Sequence, residues 1–353
     1  MMTMHSGQLV FSQVMTYMPH KAFNRMVAAR RAQHKVKEFS CLDQFLVLAF
    51  AQLTTRESLR DIEINLRAQS KHFYHMGLRC KTISRNTLAN ANRVRSWEVF
   101  ADLAHHLITT ACTLYADEPG RVELPSLKGA TVYALDSTTI DLCLSLFNWA
   151  PFRSTKAAIK LHTLLDLRGS IPSFIHISNG KMHDSKILDI LCKQGYIELA
   201  AFYVMDKAYV DCKLLYQLHT ARAFFVTRTK DNMKAELIQA LPVDTTICAL
   251  YKKRSSVELF FKWIKQHLRI KSFYGTTENA VKTQVGVAIS TYVLIATMQK
   301  RLNMKHSLYE ILRVLELNMF ETTPILQLLS QIHKDVKIVN NQHQLTLFQT
   351  LDH

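Results

Sequence analysis

Between Thr131 and Arg228 the chain becomes a run of short apolar strands with two amphipathic helices set among them, and that order limits the fold more than any other feature. Thr131–Asp136, Ala157–Asp166 and Ile171–Ser178 read as strands, the last two joined by a tight turn at Arg168-Gly169-Ser170. Asp184–Lys193 reads as a helix, Ala201–Asp206 as a strand, Asp211–Thr220 as a helix and Ala223–Arg228 as a strand. A β-β-β-α-β-α-β order predicts one mixed five-stranded sheet. An antiparallel meander comes first, and right-handed crossovers then lead to parallel strands.

The flanks are helical. Residues 1–118 carry four helix patterns, over Cys41–Leu53, from a Thr54/Glu57 capping box to Ala68, over Ser84–Arg95 and over Trp97–Tyr115. Ser84–Arg95 and the run Arg25–Lys37 are polar and basic, as groove-entering helices are, although many helical bundles share this look. From about Glu278 to Leu329 the chain is helical again, before a polar tail. The expected division is a helical module over 1–118, an α/β core over 119–275 and a helical region over 276–353.

Charge names the partner class. Lys plus Arg number 44 and Asp plus Glu 28, a surplus of 44 − 28 = 16, spread along the chain. Such a balance fits a polyanion, most simply nucleic acid. The seven cysteines, at 41, 80, 112, 143, 192, 212 and 248, make no C-x-x-C pair, which argues against a disulfide framework and a structural zinc site. The N-terminal residues lack the basic-then-apolar order of a secretory signal, and the longest apolar run, Val285–Met298, is read as too short to span a bilayer. Together these predict a cytoplasmic protein. No G-x-G-x-x-G, P-loop or G-x-S-x-G is present, which disfavours dinucleotide, nucleotide and serine-hydrolase readings.

Tyr251–Lys265 reads as a helix with two faces. Tyr251, Arg254, Glu258, Lys262 and Lys265 share one side, while Val257, Phe260, Phe261 and Ile264 cover the other. One reading is a solvated face laced with i,i+4 pairs. The other takes Glu258 together with Asp136 and Asp206, each expected at the end of a strand, where ligand sites of open α/β sheets collect. Three carboxylates brought together repel unless a cation joins them. Hard oxygen donors select Mg2+ or Mn2+, and a pair of such ions suits phosphodiester chemistry. Taken singly, Asp136 also fits a helix cap and Asp206 a turn.

The spacing Tyr251-(2)-Arg254-(3)-Glu258-(6)-Lys265 resembles the Y-(2)-R-(3)-E-(6)-K signature of DDE transposases of the IS-four insertion-sequence family. Leu135-Asp136-Ser137-Thr138 is similar to that family's first catalytic block and Asp206-Lys207-Ala208-Tyr209 to its second. The resemblance implies a ribonuclease H-like core behind a helical DNA-binding domain. It further implies a cut-and-paste reaction at terminal inverted repeats, with two Mg2+ ions held by Asp136, Asp206 and Glu258. Tyr251, Arg254 and Lys265 would grip phosphates, with Lys252, Lys253, Lys262, Arg269 and Lys271 extending the basic surface and Arg153, Lys156 and Lys160 adding backbone contacts. A homodimer on double-stranded DNA follows from the same resemblance, as does a place at the bacterial nucleoid.

One departure stands out. Asp136 to Asp206 spans 206 − 136 = 70 positions, but Asp206 to Glu258 only 258 − 206 = 52. Family members usually carry a β-rich insertion between the fifth strand and the glutamate helix, and Thr229–Leu250 leaves little room for one. An internally shortened relative that binds DNA ends without cutting is therefore the second expectation. A ribonuclease H-like nuclease of other purpose is the third.

Overall fold

The structure, a computed structural model, describes residues 7–33, 36–117, 130–230, 245–267 and 273–331. In chain order the helices α1 (Val10–Met15), α2 (His20–Ala29), α3 (Cys41–Leu53), α4 (Leu59–Ala68), α5 (Arg85–Val94) and α6 (Glu98–Tyr115) come first. The strands and helices of the middle follow: β1 (Val132–Leu142), β2 (Pro151–Arg153), β3 (Lys156–Asp166), β4 (Ile171–Asn179), α7 (Ser185–Lys193), β5 (Phe202–Met205), α8 (Cys212–Thr220) and β6 (Phe224–Val226). The helices α9 (Thr245–Lys252), α10 (Ser255–His267), α11 (Glu278–Arg301) and α12 (Leu308–Asn318) follow. By contacts the chain forms two compact units, Met1–Leu88 with Leu294–His353, and Ala89–Val293, so the units part at other points than residues 118 and 275.

The first unit is helical. Helix α3 is apolar almost all round and buried. It opens on a capping box in which the Ser40 hydroxyl accepts the Asp43 N–H and the Asp43 carboxylate accepts the Ser40 N–H. The expected box at Thr54 is not one. Thr54 ends α3, with its hydroxyl donating to the Phe50 carbonyl at 2.7 Å, and Ser58 caps α4 by accepting the Asp61 N–H at 3.1 Å. The C-terminal segment joins this unit through the Val10 N–H to the Glu321 carbonyl (2.8 Å) and through Phe320 against Phe50.

The second unit is built on the sheet. β1 pairs antiparallel with β3, and β3 with β4, while β5 and then β6 run parallel to β1. Leaving aside the short β2, which adds to the start of β3, the order β4-β3-β1-β5-β6 with this polarity is that of a ribonuclease H-like core. β2 was not expected from the sequence, since Pro151-Phe152-Arg153 carries no apolar run and its outer residues are exposed. The side chains of β1 alternate between two faces. Tyr133 and Leu135 pack with Ile187, Leu191, Leu214 and Leu218 into the core under α7 and α8. The opposite face meets α10.

Two sequence expectations change here. β1 does not stop at Asp136 but runs on to Leu142, because its antiparallel pairing with β3 continues to Leu142↔Ala157 after the parallel pairing with β5 ends at Leu135↔Met205. The cap reading of Asp136 therefore falls. In addition, α11 is 24 residues long and apolar enough to cross a membrane, with 94% of its apolar window buried within the protein. It is a core helix. Its Gly286 lies so close to α6 that a Cβ there would stand 3.1 Å from the Phe100 carbonyl carbon, and Tyr292 packs on Phe260 and Trp263 of α10.

Candidate active site

The parallel pairing of β1 and β5 ends at Leu135↔Met205, which puts Asp136 and Asp206 next to each other at one level of the sheet. The chain leaves β5 at Asp206 into a short 3-10 turn over Lys207–Tyr209, and Asp206 Oδ1 caps that turn by accepting the Ala208 N–H at 3.1 Å. The turn reading of Asp206 thus holds. Asp136 Oδ1 accepts the Ser137 N–H at 2.8 Å.

The helix expected over Tyr251–Lys265 is two helices. α9 ends at Lys252 and α10 begins at Ser255, with Arg254 in the turn between them. Between them the backbone bonds tighten to i→i−3, from the Arg254 N–H to the Tyr251 carbonyl, the Ser256 N–H to the Lys253 carbonyl and the Val257 N–H to the Arg254 carbonyl, and the Ser255 hydroxyl donates to the Lys252 carbonyl at 2.9 Å. The turn leaves Arg254 beside β1. Its Nη1 donates to Asp136 Oδ2 at 2.6 Å and its Nη2 lies 2.7 Å from Glu258 Oε1, so one guanidinium joins the first and third expected ligands. Arg228, just past β6, does the same for the second, with Nη2 donating to Asp206 Oδ2 at 3.0 Å. The ring of Tyr251 lies under both arginines, 5.6 Å from Arg228 Cζ and 5.9 Å from Arg254 Cζ. Arg228 is the residue the sequence missed. Its signal was the position itself, a cation closing the strand next in line to the one that ends in Asp206.

The three carboxylates differ in exposure: 16% of the Asp136 side chain is accessible, 25% of Asp206 and 53% of Glu258. Burial pushes the Asp136 carboxyl above its ordinary range, and the charges of Glu258 and Asp206 add to the rise against the Ser137 N–H and Arg254. At Asp206 burial also opposes ionisation, but the Ala208 N–H, Arg228 and Arg254 outweigh it and hold the carboxyl low. Asp136 therefore feels both other carboxylates. Among the described residues, though, no group of three His, Cys, Asp or Glu side chains is placed to hold an ion as they stand. Each of Asp136, Asp206 and Glu258 instead has a guanidinium on it. As a donor set, three oxygen-only carboxylates whose mutual repulsion calls for positive charge fit a hard divalent ion.

The expected phosphate contacts fall into two groups. Lys252, Lys262, Arg153 and Lys156 are exposed and Lys253 half-buried. Lys265 is turned to the sheet, donating to the Thr139 carbonyl at 3.0 Å, so it ties α10 to β1. Lys160 is a correction. It is held by Asp184, at 3.2 Å and 3.3 Å from its two oxygens, and by the Met182 carbonyl at 3.3 Å, on the α7 side of the sheet. Asp184 also accepts from the Ser137 hydroxyl at 2.8 Å and lies 3.6 Å from His162 Nδ1. Arg269 and Lys271 lie outside the described residues, as does most of the short connection into α9.

Comparison with known proteins agrees with this geometry. Residues 127–294 match the family described as "Transposase DDE domain", and residues 6–79 match a domain of unknown function (DUF4372). A protein of Sinorhizobium fredii named as a transposase is 29% identical over 261 residues, covering 59% of this chain and 69% of its own. A transposase for an insertion sequence element of Geobacillus stearothermophilus is 26% identical, covering 46% of this chain and 55% of its own. Another, from a Synechocystis strain, is 23% identical, covering 63% and 74%.

Proposed function

We propose that this chain, which is a DDE transposase of the IS-four insertion-sequence type, binds terminal inverted repeats and cuts and rejoins DNA strands there with two Mg2+ ions. The observation that carries the reading is the meeting of Asp136, Asp206 and Glu258 through two arginines at the end of the β1–β5 pairing. Asp136, Asp206 and Glu258 would hold the ions, with Mn2+ able to replace Mg2+. Ions bound there lower the pKa of an attacking water or 3′-hydroxyl and stabilise the leaving oxygen.

The chain's own residues do the rest. Asp136, with 16% of its side chain accessible, sits where charge interactions are stronger than in open water. Arg254 and Arg228 present planar forks of the kind that grip phosphate oxygens in pairs. Lys262, one turn beyond Glu258 on α10, supplies a point charge along the DNA backbone, as do the exposed Lys252, Arg153 and Lys156 and the half-buried Lys253. Tyr251 sets the position of both arginines, and Lys265 fixes α10 against β1. Coupled cutting of two ends asks for two copies of the chain on the DNA.

The test is a supercoiled plasmid carrying the cognate ends, incubated with Mg2+. End-specific cleavage that Asp136→Ala, Asp206→Ala and Glu258→Ala each abolish is the expected result. Binding without cleavage would support the second reading, a shortened end-binding relative, which the seat of Arg254 between Asp136 and Glu258 and the short Asp206–Glu258 spacing favour. Cutting that ignores the ends would support a nuclease of other purpose.

A further inference from the structure

Every carboxylate of the site is in contact with an arginine. Arg254 joins Asp136 and Glu258, Arg228 holds Asp206, and the two guanidiniums lie over the one ring of Tyr251. Two positive charges thus stand over three negative ones. The contact to Asp136 Oδ2 is 2.6 Å, at an oxygen whose side chain is only 16% accessible. A divalent ion taking that oxygen would come within a few ångströms of the guanidinium, where like charges in a half-buried site repel strongly. The arginines and the ions therefore compete for the same oxygens.

We infer that Arg228 and Arg254 are placeholders, which neutralise the three carboxylates in the metal-free protein and pass from them to the phosphate backbone of DNA as the ions enter. The inference rests on the reading of Asp136, Asp206 and Glu258 as the metal site. Tyr251 has the part of a shared platform, and its ring faces can carry a guanidinium in either position. Two consequences follow from linkage. Metal alone binds weakly, because it must displace two ion pairs. DNA and metal tighten each other by the same factor, because each draws the arginines away from the other's competitor. Loading of the site is then tied to the presence of DNA, which limits stray chemistry by the free protein.

The experiment measures Mn2+ binding to the full chain without DNA, by the loss of the free-ion paramagnetic resonance signal, for wild type, Arg228→Gln, Arg254→Gln and Asp136→Asn. The expected result is that either arginine variant binds Mn2+ more tightly than wild type, on the order of tenfold, the size of effect that removing one neighbouring like charge has on a half-buried ionic group. A residue that merely held the fold would move the affinity the other way when lost. Circular dichroism checks that the variants fold, and Arg228, whose side chain is 59% exposed, serves should Arg254→Gln not fold. Arginine variants that fold and bind Mn2+ no more tightly than wild type overturn the inference. Wild type and Asp136→Asn that bind Mn2+ alike, with and without a random-sequence duplex, overturn the underlying metal-site reading instead.

Discussion

Asp136 and Ser137 are neighbours in one strand, yet the two faces they serve handle charge in opposite ways. On the α10 face, Asp136 and Glu258 are neutralised by Arg254 from the turn that opens α10, and Glu258 remains 53% exposed. On the α7 face, Asp184 is neutralised by Lys160 from within the sheet, with the Ser137 hydroxyl and the fully buried His162 completing its surroundings. Both partners there are less than a fifth exposed. Lys160 is held by both Asp184 oxygens and by the Met182 carbonyl, whereas Arg254 reaches from a turn to an acid that is half exposed. The first arrangement builds a floor and the second keeps a site open to exchange. The comparison predicts that the α7 face governs stability and the α10 face governs chemistry.

The largest stability effect belongs to His162. Burial lowers its pKa to about 4, below the ordinary 6.5, despite Asp184 nearby. Between those values the unfolded chain binds a proton that the folded chain refuses. The contribution is therefore fully present above pH 6.5 and is lost as the pH falls towards 4. The loss amounts to on the order of 3 kcal/mol, since each tenfold change in proton affinity is worth about 1.4 kcal/mol. Urea unfolding across that range should show a steep fall, flattened in His162→Asn. His176, lowered by burial and by Lys282, adds a residual slope in the same direction. A stability profile equally steep in the variant would break the contrast between the faces.

Next is Lys160→Met, which keeps the length of the stem and strands Asp184 with only its hydroxyl and imidazole neighbours. The expected cost is about 2 kcal/mol, the penalty for a half-buried charge deprived of its partner. Plasmid-end binding measured at a temperature where the variant is folded should be unchanged, since Lys160 faces away from the carboxylates. A weaker or less salt-dependent binding would return Lys160 to the DNA surface where the sequence had placed it.

What the sequence could tell about these faces follows from the kind of signal each feature leaves. The polarity of the five strands read from the sequence was legible because short apolar runs bounded by turn residues survive in one dimension. The Tyr251-Arg254-Glu258-Lys265 spacing was readable because intervals along the chain are kept even across the turn between α9 and α10, and Asp136 and Asp206 stood out because each follows a short apolar run. Partners were another matter. The spacing assigned Arg254 to phosphate, and nothing in it told of the Asp136 contact 118 positions away. Lys160 and Lys156 share a strand and a charge. Only the pairing of β3 between β1 and β4, and the approach of Asp184 from α7, set one inward and leave the other exposed. The break before Ser255 was hidden because the spacing of charged and apolar residues runs on through it, and a local tightening to i→i−3 bonds at Arg254, Ser256 and Val257 leaves no mark in residue type.

The smallest stability effect and the sharpest contrast come from Glu258→Gln. The Arg254–Glu258 pair is an i,i+4 contact with a half-exposed acid, and such pairs contribute under about 1 kcal/mol. Urea unfolding should hardly register the change, and a random-sequence duplex should bind about as well as before, because Arg254 keeps Asp136 as its partner. End cleavage in Mg2+ should nevertheless be lost, because glutamine cannot supply the third negative oxygen donor. A variant that unfolds readily would mean that Glu258 belongs with Asp184 as part of the floor. One that still cuts would leave Asp136 and Asp206 to do the work alone. Loss of cutting without loss of stability is the outcome that separates the two faces of β1 at a single residue.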